Sequence, residues 1–324
     1  MSQKELIRRM NKRNHRILDH TIISYFLLIF YVSLFEETIG TGLDLLISKF
    51  IPGYAVEAIV MGKAGEICSG VGAAVSVLIA AWLFKLWFKP DFNGCLQKAG
   101  LKEGLLMLLP FLVIHYIGSI VSWITIGTGG VLIPLLRATA PGFGEEMMFR
   151  GLGVANYMRK IKSKDKIKVI FWLSSIVFGL IHLTNLMAGG DPKSVIIQSV
   201  YAIGVGMLLG AVYLRTGNLW PTILAHWSVD FFEMIRADLY DSGGLMTGMG
   251  IGDWITIVAG VFGAFWALRL MNPKYYDEIM EIWDRKWNKA ASTEPNMESS
   301  VEPSVELSAE LNTGSSADSA ESIE

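Results

Sequence analysis

The chain has 324 residues, 52% of them apolar, a net charge of −2 and a mean hydropathy of +0.42. Ordinary soluble domains are less apolar, so the composition argues against a soluble globular protein and predicts an integral membrane protein. The lipid bilayer is therefore an expected partner, and no nucleic-acid partner is expected.

Apolar stretches long enough to cross a bilayer recur along the chain. A hydrocarbon core roughly 30 Å thick takes about 20 helical residues. The candidate spans, the fourth of them broken, are 17–35, 69–88, 104–124, 131–158, 167–186, 194–214, 219–235 and 251–270. Backbone groups in lipid must be bonded within their own segment, and these runs lack the alternation of strands. The predicted fold class is all-α, a polytopic transmembrane helical bundle of about eight spans.

Clusters of Lys and Arg set the predicted orientation. With eight spans all of these clusters fall on one side of the membrane, which the positive-inside rule makes the cytoplasm. They lie at residues 4–16, 85–102, 159–168 and 269–274. We therefore expect both termini in the cytoplasm. The expected location is the plasma membrane of a prokaryotic cell.

The ends of the chain differ from the predicted bundle. The first span follows a basic leader, but bulky and acidic residues stand at 35–37 where a signal peptide has its cleavage site, so we predict a retained helix. Residues 290–324 carry eight acidic residues and no Lys or Arg. Such a tail cannot bury enough apolar surface to offset its ordering entropy, and we predict that it is disordered.

Two pairs of small residues carry no predicted chemistry. Cys68 and Cys95 cannot build a disulfide framework and lack metal-ligand spacing, so they are interpreted as ordinary apolar or interfacial residues. Gly206 and Gly210 form a Gly-x-x-x-Gly step that favours the close approach of a neighbouring helix.

Ionisable residues within apolar helices are costly, which makes them candidates for a functional site. Glu145 and Glu146 are adjacent, and Arg150 lies four residues after the second. Helix positions four apart lie one above the other, so Glu146 is predicted to pair with Arg150. Glu145 then points about 100° away, without a sequence-local partner, as a candidate general base. Pro141 and Gly142 are expected to break the helix and to leave Glu145 near the N-terminal end of its second half.

Two histidines lie deep in apolar stretches downstream. His182 follows Phe178 by four residues and His226 precedes Asp230 by four, so each pair shares a helix face. A carboxylate beside an imidazole fixes its tautomer and suits a proton donor or a metal ligand. His115 has no acidic companion nearby in the sequence and is predicted to be a hydrogen-bonded structural residue. Together with the glutamate pair, the two downstream histidines favour a functional interpretation.

Three motifs in order on successive spans resemble the signature of the CAAX protease and bacteriocin-processing family, also called the ABI family. These are intramembrane proteases that include the type II CAAX prenyl endopeptidases. The motifs are Glu-Glu-x-x-x-Arg at 145–150, Phe-x-x-x-His at 178–182 and His-x-x-x-Asp at 226–230, with Arg-Thr-Gly-Asn-Leu-Trp-Pro at 215–221. The resemblance covers about residues 132–235.

The resemblance implies an intramembrane endopeptidase with a defined set of site residues. Glu145 matches the catalytic glutamate that holds and deprotonates the attacking water together with His182. His226 and Asp230 match the pair that stabilises the oxyanion. Family members often carry Asn where this chain has Asp230, and an ionised Asp cannot donate to an oxyanion, so we expect it to orient a protonated His226 or to be protonated itself. The supporting residues are Glu146, Arg150 and Phe178.

The resemblance also divides the chain. We predict a basic cytoplasmic leader at 1–16, N-terminal transmembrane helices at 17–130, a catalytic core at 131–238, a last transmembrane helix with its cytoplasmic flank at 239–289, and the acidic tail at 290–324. The implied substrate is a membrane-associated peptide or protein, cleaved by CAAX-type or by leader-type and bacteriocin-type processing. The sequence gives no indication of oligomeric state.

Metal dependence and two other functions are left open by the sequence. Glu145, His182 and His226 suit a catalytic Zn²⁺ with an open fourth position, yet they work equally as a metal-free glutamate site, and the sequence requires no cofactor. A non-catalytic membrane scaffold or bacteriocin self-immunity protein could have kept the same fold. A proton-coupled transporter also uses buried Glu and His, although we find no internal repeat of the kind that transporters commonly show.

Overall fold

The computed structural model of the chain describes residues 94–187, 189–241 and 249–287, together with scattered positions between residues 22 and 79. Every regular element within the three continuous ranges is helical, which confirms the all-α class for this part of the chain. In chain order these elements are α1 (Leu101–Ile126), α2 (Leu132–Arg137), two π-helical segments (Ala140–Glu145 and Met147–Val154), α3 (Ala155–Arg159), α4 (Asp165–Ile181), a 3-10 turn (His182–Leu186), α5 (Pro192–Thr216), α6 (Trp220–Met234), α7 (Ala237–Asp241), α8 (Ile251–Leu270), a second 3-10 turn (Pro273–Tyr275) and α9 (Tyr276–Lys286).

Four of the described helices are long and apolar enough to cross a membrane. They are Leu101–Ile126, Asp165–Leu186, Pro192–Thr216 and Ile251–Leu270. Each coincides with a predicted span to within a few residues at either end. The integral membrane class follows from these four helices.

The predicted number of eight full spans is not reached in the described part of the chain. The predicted span 219–235 forms α6, which has 15 residues. At 1.5 Å per residue α6 is roughly 22 Å long, short of a full hydrocarbon core. The stretch 131–158 is divided among α2, the two π-helical segments and α3. The predicted spans 17–35 and 69–88, Cys68 and the acidic tail lie largely or wholly outside the described residues.

Helix α1 shows how the bundle is adapted to lipid. Its exposed side chains form one apolar stripe of Leu106, Leu109, Val113, Ile117, Ile120 and Ile124, spaced three or four residues apart. Its buried face carries His115, Ser119 and Ser122. This arrangement is the reverse of a water-soluble helix, because polar groups in lipid need partners inside the bundle whereas apolar side chains do not.

Small residues bring the long helices into close contact. A Cβ atom on Gly204 of α5 would lie 2.6 Å from the carbonyl oxygen of Gly260 in α8. On the opposite face of α5, a Cβ on Gly206 would lie 3.0 Å from the Phe178 ring of α4, and one on Gly210 would lie 3.6 Å from the Ser174 hydroxyl. The close approach predicted for this glycine step is confirmed at Gly206, whereas the distance at Gly210 is an ordinary van der Waals contact.

The predicted helix break lies just before Pro141 and Gly142, because α2 ends at Arg137 and a π-helical segment begins at Ala140. Pro141 lies in the first turn of a π-helical segment, where its missing N–H needs no partner, and the helical backbone runs on past Glu145. Gly142 has a different role. A Cβ at this position would lie 2.6 to 2.9 Å from the Cβ, Cα and backbone nitrogen of Trp227. Its missing side chain therefore lets the first π-helical segment lie against the backbone of α6, next to His226.

The positively charged loops meet at one end of the bundle. Lys164 Nζ lies 2.5 Å from Asp277 Oδ1, which joins the start of α4 to α9. Lys286 Nζ donates to the carbonyl oxygen of Gly94 at 2.9 Å and to Gln97 Oε1 at 3.2 Å, which joins α9 to the segment before α1. Burial lowers the pKa of Lys286. These contacts join the ends of α4 and α9 and the segment before α1 on one side of the bundle.

Cys95 lies in the same region, immediately before α1. Its side chain is buried and makes no disulfide. Burial raises the pKa of its thiol to about 11. Such a thiol is inert at neutral pH, in agreement with its interpretation as an ordinary apolar residue.

Candidate active site

The predicted site residues converge from three helical segments. Glu145 and Glu146 lie where the two π-helical segments meet. Phe178 and His182 lie at the end of α4, and His226 and Asp230 lie in the middle of α6.

The predicted ion pair between Glu146 and Arg150 is present and fully buried. Arg150 NH1 donates to Glu146 Oε1 at 2.8 Å, and neither side chain is accessible. Arg150 NH2 donates to the carbonyl oxygen of Gly206 at 3.2 Å, and its guanidinium lies 4.2 Å from the centre of the Phe178 ring. A buried charge pair is tolerated when such additional contacts satisfy it. Arg150 thereby fixes the second π-helical segment against α4 and α5.

His226 lies between three carboxyl groups. Its Nδ1 is 3.1 Å from Glu146 Oε1, and its Nε2 is 3.4 Å from Asp230 Oδ2 and 4.0 Å from Glu145 Oε2. Because both ring nitrogens face carboxylate oxygens, which only accept hydrogen bonds when ionised, the surroundings favour a doubly protonated imidazole. The sequence spacing predicts the contact with Asp230 but gives no sign of the contact with Glu146.

Glu145 is the most accessible acid at this position. Its side chain is 30% exposed, compared with 24% for Asp230 and 0% for Glu146. Among the described residues its Oε2 atom accepts no hydrogen bond. The Oε2 atom itself is buried and lies 4.0 Å from His226 Nε2, so the exposed part of Glu145 is the rest of its side chain, while Glu146 is enclosed.

His182 is oriented by its own helix. It ends α4 and begins the 3-10 turn, and its Nδ1 lies 3.0 Å from the carbonyl oxygen of Phe178. A carbonyl oxygen only accepts, so Nδ1 must donate and the proton sits there in the neutral ring. Nε2 is left with its lone pair, and the half-buried ring can accept a proton or a hydrogen bond at that atom.

Phe178 is the common contact of the site residues. Its ring centre lies 5.5 Å from those of His182 and His226, in edge-on arrangements. It also packs edge-on against Phe149 at 5.2 Å, and the Arg150 guanidinium covers one face. Sequence spacing predicts only the contact with His182. The aromatic ring separates the two histidines and keeps water away from the Glu146 ion pair.

Glu145 and His182, which the resemblance implies act together on one water, are not directly joined. Among the described residues the connection between them runs through His226 and the Phe178 ring. The arrangement places Glu145 nearest to His226.

A second polar cluster adjoins the site, and the sequence did not predict it. His115 has an acidic companion after all, because its Nε2 lies 3.5 Å from Glu233 Oε1 of α6. Its Nδ1 lies 3.1 Å from the Tyr201 hydroxyl of α5. Glu233 also accepts from the Ser119 hydroxyl at 2.8 Å and from Arg236 NH1 at 3.2 Å. His115 is thus buried and hydrogen-bonded as predicted, but its partner stands 118 residues further along the chain.

The candidate zinc ligands Glu145, His182 and His226 do not form a metal-binding set. A catalytic zinc ion takes three protein ligands at roughly 2.0–2.3 Å. His226 directs its two nitrogens at different carboxyl groups, and no group of three or more His, Cys, Asp or Glu side chains among the described residues is arranged to hold an ion.

The fold and the site together define an integral membrane protein with an acid–histidine centre inside a helical bundle. Residues 129–232 match the family model described as type II CAAX prenyl endopeptidase Rce1-like, and the chain carries a domain of that family. No curated protein and no solved structure matches the chain. The matched segment contains every catalytic and supporting residue predicted from the sequence, whereas α1, α8 and α9 lie outside it. The family implies a protease and suggests a CAAX-type intramembrane endopeptidase.

Proposed function

We propose that the chain is an intramembrane endopeptidase in which Glu145, assisted by His182, activates a water molecule for attack on a peptide bond of a membrane-associated substrate. The observation that carries the proposal is the placement of a partly exposed carboxylate, Glu145, 4.0 Å from an imidazole held by two further carboxyl groups. The proposal agrees with the family match across residues 129–232.

In the first step Glu145 acts as the general base. A water hydrogen-bonded to the Glu145 carboxylate gives up a proton to it while the water oxygen forms a bond to the substrate carbonyl carbon. His182 Nε2 accepts the second hydrogen of this water and fixes its direction. Both groups are accessible, which the substrate requires, and both lie at the edge of an apolar bundle, which limits competing solvent.

His226 would stabilise the negative oxygen that results. Its Nε2–H is a charged donor, already held in place through the contact of Nδ1 with Glu146. Preorganised donors of this kind contribute about 3 kcal/mol or more to the transition state. Asp230, 3.4 Å from the same nitrogen, keeps the imidazolium protonated and oriented.

The second step returns the proton. When the tetrahedral intermediate collapses, the bond between the carbonyl carbon and the amide nitrogen breaks, and the leaving amine takes the proton from Glu145. The products are a new carboxyl terminus and a free amine. Glu145 is again ionised, so no net change remains in the enzyme.

The test is cleavage by purified protein in detergent or in vesicles. The probe is an internally quenched peptide that ends in a farnesylated Cys-aliphatic-aliphatic-X sequence, with the same peptide lacking the prenyl group beside it. We expect cleavage by the wild-type chain and a loss of about 100-fold or more in Glu145→Gln and in His182→Gln. Mass spectrometry of the products identifies the bond that is cut.

A second experiment tests substrates of the leader-peptide kind. It compares the termini of membrane peptides in cells that produce the wild type and in cells that produce Glu145→Gln. Identical termini in the two strains, together with no cleavage of either probe, would contradict the proposal and favour the scaffold function. Cleavage that depends on added Zn²⁺ and stops with a chelator would replace the metal-free mechanism.

A further inference from the structure

Helix α1, which lies outside the family-matched segment, contacts α6 on both sides of Asp230. Tyr116 OH lies 2.6 Å from Ser228 Oγ, and the Ser228 hydroxyl itself donates to the carbonyl oxygen of Ala225 at 2.8 Å. The Tyr116 hydroxyl must therefore be the donor in the first bond. This chain of hydrogen bonds ends at the residue immediately before His226.

A second set of contacts begins two residues after Asp230. Trp123 Nε1 donates to the carbonyl oxygen of Phe232 at 2.9 Å. The Phe232 ring is stacked between Tyr116, at 4.5 Å, and Trp123, at 5.2 Å, with interplanar angles of 23° and 19°. The stretch of α6 that carries Asp230 is therefore held at both ends by the same face of α1.

The third contact is made by Glu233. Ser119 Oγ donates to Glu233 Oε1 at 2.8 Å, and His115 Nε2 lies 3.5 Å from the same oxygen. Glu233 and Asp230 are three residues apart on α6 and so lie on neighbouring positions of one face. By binding Glu233 in this way, α1 is fixed against the face of α6 that carries Asp230.

We infer that Tyr116 and Ser119 of α1 are positioning residues that set where His226 and Asp230 stand relative to Glu145. They act through Ser228 and Glu233 and touch neither the substrate nor the reacting atoms. The inference rests on the proposed function only for its consequence in catalysis. The position of the His226 side chain can be measured without a substrate.

The test is a variant with both hydroxyls removed, Tyr116→Phe combined with Ser119→Ala. Both changes delete a hydroxyl without adding volume, and the aromatic stack on Phe232 is kept. Because misplacement of a catalytic group by about 1 Å costs up to 100-fold in rate, we expect kcat to fall about 10-fold or more, with KM within about twofold. The matched control is Thr125→Val on the same helix, whose exposed hydroxyl donates only to carbonyl oxygens of α1 itself.

A spectroscopic measurement separates positioning from general destabilisation. The measurement is nuclear magnetic resonance of ¹⁵N-histidine-labelled protein. The chain has five histidines, so the imidazole nitrogen signals are few enough to resolve. The signals of His226 are those that are lost in His226→Gln. We expect them to shift in the double variant and to stay in place in Thr125→Val.

Unchanged His226 signals in the double variant would overturn the inference, whatever happens to kcat. Equal shifts in Thr125→Val would overturn it as well, because they would show a response to any loss of a hydroxyl from α1. If the wild-type protein cleaves neither probe and the membrane peptide termini of the two strains are identical, the proposed function fails, while the His226 signals still decide this inference.

Discussion

Glu146 connects parts of the site that are remote in sequence. Its Oε1 accepts from Arg150 at 2.8 Å and contacts His226 Nδ1 at 3.1 Å, across 80 residues. It is therefore both the anchor of the second π-helical segment and the group that holds His226. The neighbouring Glu145 makes no hydrogen bond to Arg150 and is not completely buried. Two adjacent residues of the same type have separate roles because their surroundings differ.

The first prediction follows from this asymmetry. Replacing Glu146 by Gln leaves the Arg150 guanidinium buried without a counter-ion, which costs about 3–5 kcal/mol. We expect a large fall in the thermal midpoint as well as loss of activity, whereas Glu145→Gln should lose activity at nearly unchanged stability. Thermal unfolding in detergent, followed by circular dichroism, measures the midpoints of the two variants, and cleavage of the probe measures their activity. Glu103→Gln, an exposed change in the first turn of α1, serves as control, and equal midpoints for the two site variants would contradict the asymmetry.

The second prediction concerns Asp230. In Asp230→Asn the side-chain oxygen can still accept from His226 Nε2, and the amide adds a donor for the oxyanion. We expect kcat to stay within about tenfold of the wild type, while Asp230→Leu, which has no polar atom, should lose about 100-fold or more. Initial rates with the farnesylated probe distinguish the two. Similar losses in both variants would mean that the carboxylate charge itself is needed.

At the scale of elements, the two π-helical segments are the unusual part of the fold. Their i→i+5 backbone bonding is rare and occurs mostly at functional sites. They lie against α6 through Gly142 and against α4 and α5 through Arg150, so they carry the glutamates to the other site residues. The apolar stretch 131–158 is interrupted in the sequence because its backbone adopts this bonding and lies close to α6.

The third prediction tests the approach to α6. A methyl group in Gly142→Ala would lie 2.6 to 2.9 Å from Trp227 atoms, two of which belong to the backbone. Separation of the two helices should cost about 1–3 kcal/mol and move Glu145 away from His226. We expect lower stability and a loss of activity, measured by thermal unfolding and by cleavage of the probe. Gly210→Ala is the matched control, because its nearest neighbours lie at the ordinary distances of 3.6 and 3.9 Å.

The fourth prediction concerns the N-terminus of α5. Asp191 Oδ2 accepts from the backbone N–H and the hydroxyl of Ser194, and these bonds lower the pKa of Asp191 below its ordinary value of 3.8. A lowered pKa in the folded state means that the carboxylate stabilises the fold above pH 3.8, and that this stabilisation is lost as the pH falls through the folded-state pKa.

Asp191→Asn keeps a neutral cap, so its thermal midpoint should lie below that of the wild type at pH 7 and approach it as the solution is acidified below 3.8. A difference between the two proteins that stays constant over the same range would contradict the linkage. Lys193→Gln, a neighbouring exposed residue, controls for a general effect of charge at this end of α5.

At the scale of the whole molecule, the family-matched segment is held by helices outside it. Arg236 ends α6 and makes ion pairs with Glu233, Asp238 and Asp253, the last being buried near the N-terminus of α8. Asp253 in turn accepts from the backbone N–H of Gly250 and caps that helix. The same region contains a backbone pairing between Thr128 and Arg236. The ends of α1, α6 and α8 are therefore joined at one charge cluster.

The fifth prediction tests this junction. Arg236→Gln removes the cation shared by three carboxylates and leaves Asp253 buried without a counter-ion, at a cost of about 3–5 kcal/mol. We expect a lower thermal midpoint, measured by circular dichroism in detergent. Arg269→Gln, an exposed arginine at the other end of α8, should leave the midpoint unchanged. A wild-type midpoint in Arg236→Gln would show that apolar packing alone holds the three helix ends.

Much of this arrangement could be predicted from sequence because it depends on local spacing. The spans are continuous apolar runs, and the pairs Glu146–Arg150 and His226–Asp230 follow from helical periodicity. Contacts between residues far apart in the chain could not be predicted in the same way. Glu146 with His226 and His115 with Glu233 depend on which helix faces meet, and the sequence of one helix does not specify that. The π-helical bonding has no composition signal of its own.

The π-helical segments also make this region sensitive to chain length. Each of their turns holds one residue more than an α-helical turn, so a single deletion between 147 and 154 would allow the backbone to return to i→i+4 bonding. The helix would gain in regularity, but the residues on either side of the deletion would rotate relative to one another. Arg150 would leave the Phe178 ring, or α3 would turn away from its neighbours. A change in residue number along this stretch therefore alters which side chains face the neighbouring helices, whereas a substitution leaves their directions unchanged.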